Sequence, residues 1–204
     1  MGRELGNPWN YLNHRTLVEK SLESSDEEER LQALGLLVES HSSVERFHRL
    51  ELDTVRRFLE RHLAPPSAAA RQVLLAHLKK MITRIRDGAL AVQKKLTQER
   101  LRPEHPELED VLASYTAFLS SLTVLLVANL FHGANFARRV TVLELLTLID
   151  QIVGFASPPS CLDIRSALSP ASCSVLYRCL YDTFEENKQK ALNILRQTPP
   201  HYLG

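Results

Sequence analysis

An all-α solenoid of the HEAT/armadillo type is the fold class this sequence predicts, and three observations carry it. First, a basic residue followed by apolar residues at +3 and +4, and again near +6 and +7, recurs four times. The copies are Arg30 with Ala33, Leu34, Leu36 and Leu37; Arg71 with Leu74, Leu75 and Leu78; Arg139 with Val142, Leu143, Leu145 and Leu146; and Lys188 with Ala191, Leu192, Ile194 and Leu195. Second, these anchors lie 41, 68 and 49 residues apart, near the roughly 40–47-residue period of arrays of paired helices. Third, the 204 residues include only 7 glycines and 6% aromatics, with few alternating β-branched runs, which argues against an all-β fold. In an array of about four hairpins each helix pair buries its apolar face only against its neighbours. The +4 residues Leu34, Leu75, Leu143 and Leu192 are therefore expected in the core. Each basic anchor is expected to meet an acidic group or a carbonyl of the adjacent hairpin.

The elements follow in order. Leu12, Leu17, Val18 and Leu22 mark a first helix, and the acidic run Asp26 to Glu29 suits the first turn of a second, where the helix dipole favours negative charge. Ser24 or Ser25 is placed to cap it, and the hairpin, about 11–40, closes near Ser43. A second hairpin, about 50–86, is divided by Pro65 and Pro66, which stop one helix and set up the next. The polar stretch about 87–107, ending in proline-rich sequence, is expected as a loop inserted between repeats, and it accounts for the longest anchor spacing. A third hairpin, about 108–155, turns at Gly133, whose freedom at positive φ suits a tight helix-helix connection. The Ser-, Pro- and Cys-rich stretch about 156–171 is a second loop, before a short last hairpin, about 172–197. Neither end has the polar outer face of a capping repeat, which suggests a piece of a longer array, although Met1-Gly-Arg also suits a true start.

Composition narrows the function classes. With 44% hydrophobic and 24% charged residues the chain can bury a sizeable core, and a net charge of +1 gives no global bias toward nucleic acid or membrane. Cys161, Cys173 and Cys179 are odd in number, 12 and 6 positions apart, without a CxxC pair or histidines at ligand spacing. They read as buried or loop thiols in a reducing compartment. Met1 to Asn10 has no apolar core of a secretory signal, so the chain is expected in the cytoplasm or nucleus. The apolar stretch Phe118 to Phe131, about 14 residues, falls short of the ~20 a membrane span needs. A buried solenoid helix is the expectation instead.

No GxSxG, GxxxxGK or HExxH motif is present. The carboxylates Asp26 to Glu29 are consecutive, so on a helix they point about 100° apart and cannot converge as an acid-base pair. His105, His132 and His201 read as polar turn residues. No enzyme, cofactor or metal centre is expected.

Four ordered blocks resemble the thyroid adenoma-associated protein (THADA) family. They are Leu31-Gln-Ala-Leu-Gly-Leu-Leu-Val-Glu-Ser40 with Ser43 and Glu45; the Arg71 helix with Leu78-Lys79-Lys80 and Arg84-Ile85; Phe131-His-Gly-Ala134 with Arg138 and Arg139; and Thr183-Phe184-Glu185. The resemblance implies an armadillo-type segment of the family's N-terminal half, ahead of a central domain whose motif is absent here. It also implies a regulatory role beside a partner enzyme, a tRNA ribose 2'-O-methyltransferase acting at position 32, with tRNA as a further partner. The family supplies no catalytic residue to carry over.

The candidate contact residues come from local charge. Between Arg71 and Arg102 stand nine basic residues against Asp87 and Glu99. Lys80 and Arg84, four apart, and Lys79 and Arg86, seven apart, share helix faces. With Lys94 and Lys95 they form a row able to track an RNA backbone, and Arg138, after the Gly133 turn, is a second basic point free to contact a partner. The competing reading is a solvated basic helix, favoured by the lack of interleaved aromatics on which bases stack. A protein-protein interaction solenoid without RNA contact is the alternative function.

Overall fold

A computed structural model of the chain describes residues 12–40, 44–98 and 106–198. Among the described residues eight α-helices follow one another: α1 (Leu12–Leu22), α2 (Glu27–Val38), α3 (Arg49–His62), α4 (Ala68–Gln98), α5 (Pro106–Ala128), α6 (Phe136–Ile152), α7 (Pro170–Cys179) and α8 (Glu185–Gln197), with a 3-10 turn at Arg165–Ala167. There is no strand among the described residues. The expected all-α solenoid of about four hairpins is the architecture found.

The even-numbered helices form one layer, in which α2 packs on α4, α4 on α6 and α6 on α8. The odd-numbered helices form the other, with α5 seated on α3, α4, α6 and α7. α3 leans on α5 more than along α4. The last stage of each hairpin therefore lies on one common side, as stacking of repeats requires.

Local chemistry sets the helix ends. Asp26, rather than Ser24 or Ser25, caps α2 by accepting the Glu28 N–H at 3.0 Å, with Glu27, Glu28 and Glu29 in the first turn. Ser24 instead donates its hydroxyl to Glu29 and, with Ser21, holds that carboxyl below its usual range. Ser67 accepts from Ala70 N–H at 3.0 Å and opens α4 directly after the two prolines. Asn135 and Ser169 cap α6 and α7. Gly133 sits at φ +93°, a conformation that suits glycine because a Cβ is strained there. The close of the first hairpin near Ser43 lies outside the described residues.

The core is continuous across both layers. Leu34 and Leu143 are fully buried and Leu75 nearly so, as the repeat pattern requires. Leu192 is a correction: it is half-buried, and Ala191, Ile194 and Leu195 fill the core position of α8 instead. Among the described residues the α7–α8 hairpin packs on the preceding helices α5 and α6, and its buried stripe is narrow.

A second correction concerns the stretch about 87–107. α4 continues to Gln98, with Gly88, Ala89 and Val92 buried, so much of the expected loop is helix. Tyr115 of α5 lies against Gly88, and Gln93 donates to Ser160 at 2.6 Å. One apolar face suffices to dock a helix whose remaining positions are polar.

α5 spans 23 residues and is long and apolar enough, by length and composition, to cross a membrane, which exceeds the stretch counted from sequence. Its buried residues, Leu108, Tyr115, Phe118, Leu119, Leu122, Thr123, Leu126 and Val127, are taken up by four neighbouring helices. The apolar helix is thus the hub of the core. Cys173 and Cys179 are buried and Cys161 half-buried, all as free thiols. Burial pushes the Cys179 thiol up to about 11.

Candidate interaction surface

The basic row expected on α4 divides in two. Lys79, Lys80, Lys94 and Lys95 are exposed, and Lys79 to Lys94 extends roughly 22 Å along the helix at 1.5 Å per residue. Arg86 is half-buried and its guanidinium is held by the adjacent Asp87, Nη2 to Oδ1 at 2.8 Å. Arg84 is a correction: only 4% of it is exposed, so it cannot contact a partner.

Arg84 is instead a structural clamp. Its Nε donates to the Glu45 carbonyl at 2.8 Å, Nη1 to the carbonyls of Val38 at 3.2 Å and Glu39 at 3.5 Å, and Nη2 to Arg46 at 3.4 Å. The guanidinium stacks 3.8 Å above the Phe47 ring. The carbonyls at the end of a helix have no intrahelical partner, and Arg84 supplies one for α2 while pinning the following segment. Burial pulls its pKa down, whereas Glu45 and Glu51 favour the charged form. Beneath it, Tyr115 accepts the Phe47 N–H at 2.9 Å through its hydroxyl.

The repeat anchors divide likewise. Arg71 of α4 approaches Glu144 of α6 at 3.2 Å, a charge contact rather than an aligned hydrogen bond, and Lys190 of α8 reaches the same carboxylate at 3.6 Å. Arg139 pairs with Asp182 in the next hairpin's turn at 2.7 Å and also donates to the Ala134 carbonyl. These two anchors bridge hairpins as expected. Arg30 stays within its own hairpin, donating to the Ser24 carbonyl at 2.6 Å, and Lys188 pairs with Glu185 one turn before it.

Arg138 is half-buried, bonded to Asn129 Oδ1 at 2.5 Å, and 5.9 Å from the Phe131 ring centroid. Around it is a feature that the sequence reading missed. Phe131, Phe136, Tyr177, Tyr181 and Phe184 are all exposed, Tyr181 by 90%, and Phe136 and Phe184 touch with centroids 4.2 Å apart. They border the α5–α6 and α7–α8 turns, so aromatics flanking turn residues were the available signal. This edge carries Arg138, Arg139 and Arg178 with Asp182, while Glu185 and Glu186 pair with Lys188 and Lys190. His132 is exposed in its turn, while His105 and His201 lie outside the described residues. Among the described residues no group of His, Cys, Asp and Glu is arranged to hold a metal.

A family model described as Trm732, TPR repeats, matches residues 2–189. The chain belongs to that family. Its helix-hairpin repeats and the HEAT/armadillo-type array expected from periodicity share the all-α solenoid class. The chain is similar to the tRNA (32-2'-O)-methyltransferase regulator THADA of Gallus gallus, 29% identical over 171 residues covering 81% of this chain and 9% of the relative. The proteins of the same name from Canis lupus familiaris, 27% over 201 residues, and Drosophila melanogaster, 28% over 189, cover 94% and 91% of this chain and 10% of each relative. The chain thus spans about a tenth of the length of the curated relatives it matches. No solved structure matches it.

Proposed function

We propose that this chain is a non-catalytic scaffold or regulatory segment that supports 2'-O-ribose methylation of tRNA at position 32 by a partner methyltransferase in the cytoplasm. The observation that carries this is membership of the Trm732 family together with relatives named as regulators of that methylation. Exposed Lys79, Lys80, Lys94 and Lys95 on one long helix support an RNA-facing role, since phosphate neutralisation supplies most sequence-independent affinity. The methyl transfer itself belongs to the partner.

The test is a salt titration of tRNA binding with Lys79, Lys80, Lys94 and Lys95 changed together to Glu, alongside position-32 ribose methylation in cells carrying that variant. The expected result is lost methylation and a salt slope reduced by about 0.7 to 0.9 per lost phosphate contact. Unchanged methylation and binding would refute a role for this face.

The second reading, a protein-protein interaction solenoid without RNA contact, is favoured by the aromatic edge. Interface cores are enriched in Tyr, Phe and Arg. A wild-type chain that binds the methyltransferase but no tRNA would select this reading.

A further inference from the structure

Between α2 and α4 runs a groove of about 750 Å³, lined by Leu31, Leu36, Ala69, Ala70, Val73 and His77, with Glu27, Glu28 and Glu39 among its walls. Three independent features meet there. Leu36 and Val73 are exposed by 56% and 43%, an apolar floor left open although both helices belong to the packed layer. Glu27 and Glu39 make no ion pair among the described residues, and Glu28 holds only the Gln32 amide, at 3.2 Å. The His77 Nδ1 atom is buried without a hydrogen-bond partner.

Gly35 shapes the groove. A Cβ built there would stand 2.7 Å from His77 Cε1, so glycine lets the imidazole that lines the groove lie against the α2 backbone. Burial and the neighbouring Lys80 hold the imidazole below its usual pKa against the opposing pull of Glu39. The ring is therefore biased toward its neutral form, and the groove lining holds three carboxylates and no Lys or Arg.

We propose that this groove docks a basic amphipathic helix of a partner protein, one large apolar side chain seated between Leu36 and Val73 and its Lys or Arg residues meeting Glu27 and Glu28 at one end and Glu39 at the other. Glu28 in the first turn of α2 and Glu39 just past its end are eleven positions apart, roughly 16 Å along the axis. A helix lying along the channel spans the same distance with basic residues separated by about three turns. The proposal does not rest on the tRNA reading: Lys80 of the basic row stands beside His77 at the groove's edge, whereas Lys94 and Lys95 lie more than three turns farther along α4.

The experiment is selection from a display library of helical peptides about 16 residues long, followed by binding of the enriched peptide to the chain. Enriched sequences are expected to carry Lys or Arg near both ends and a large apolar residue between. Their affinity should fall about tenfold or more in Glu28→Lys/Glu39→Lys, as loss and reversal of two exposed ion pairs implies. It should also fall in Leu36→Ser and stay unchanged in Lys94→Glu/Lys95→Glu. Glu28→Gln/Glu39→Gln provides the same readout should the Lys variant lose helix content by circular dichroism. A neutral or acidic consensus, no enrichment, or binding indifferent to these carboxylates overturns the proposal. Displacement of the peptide by a tRNA anticodon stem-loop would assign the groove to RNA and overturn it equally.

Discussion

Replacing Arg84 with Ala should destabilise this chain as few other surface-sequence arginines would. The substitution removes donors to four carbonyls and the stack on Phe47. Hydrogen bonds from a charged donor contribute about 1.5–3 kcal/mol each, and a buried acceptor left unpaired costs about 1–3 kcal/mol. Only the Nε–Glu45 bond at 2.8 Å is well within ordinary length, with Nη1–Val38 at 3.2 Å at its upper limit. Water entering the vacated space recovers part of the loss, so the net cost is about 3–4 kcal/mol. For a chain of about this size each kcal/mol lowers Tm by roughly 2–4 °C, so a drop of about 6–16 °C is expected by circular dichroism melting. Arg84→Lys, which keeps the charge but cannot fork across the four carbonyls, should fall between. Lys80→Ala, one turn earlier and exposed, should change stability by no more than about 0.5 kcal/mol. An Arg84→Ala melt within a degree or two of Lys80→Ala would refute the clamp and return Arg84 to the solvent-facing row.

Leu143→Ala should cost roughly 2–5 kcal/mol in urea denaturation, since the residue is fully buried and large-to-small core changes leave a cavity; Lys94→Ala should stay within about 0.5 kcal/mol. Gly133→Ala, forced to φ +93°, should cost more than about 1 kcal/mol, read as a lower urea midpoint at constant slope. Burial alone would raise the Asp182 pKa, but hydrogen bonds from Phe184 N–H, Arg139 and Asn187 overcome it and leave the carboxyl below its usual value. That contribution to stability is complete above about pH 4, the ordinary carboxylate value, and is lost as pH falls through the lower folded one. Asp182→Asn should be less stable at pH 7 and lose less between pH 4 and pH 2, by thermal melts across that range.

Where the sequence could be read, the cause was local. Leu34 and Leu143 lie on apolar stripes at helical spacing, and the same spacing places both in the core. Gly133, Pro65 and Pro66 constrain their own backbone wherever they sit. Arg84 shows where that logic ends. Four residues from Lys80, it shares a helix face by periodicity, but the environment along that face changes. α2 ends at Val38 and the chain around Glu45 to Phe47 folds over α4 at the level of Arg84. Nothing within the α4 sequence encodes that covering. The polar run after Asp87 failed for a related reason: Gly88, Ala89 and Val92 are a narrow buried stripe whose partner, Tyr115, comes from another helix. The α2–α4 groove joins residues from two helices and had no contiguous signal at all.

Glu144 gives the array a property beyond its charge contacts. In repeats that touch only their neighbours, stability is a sum of each repeat's own contribution and its nearest interfaces. Here Arg71 of α4 and Lys190 of α8 converge on one carboxylate of α6, and Lys190 also reaches Glu186. A single anion thereby ties together helices that are second neighbours in the stack. Opening of α8 takes one cation from Glu144, so that the α7–α8 hairpin is coupled to α4, two helices away in the same layer, through a carboxylate that neither of them carries.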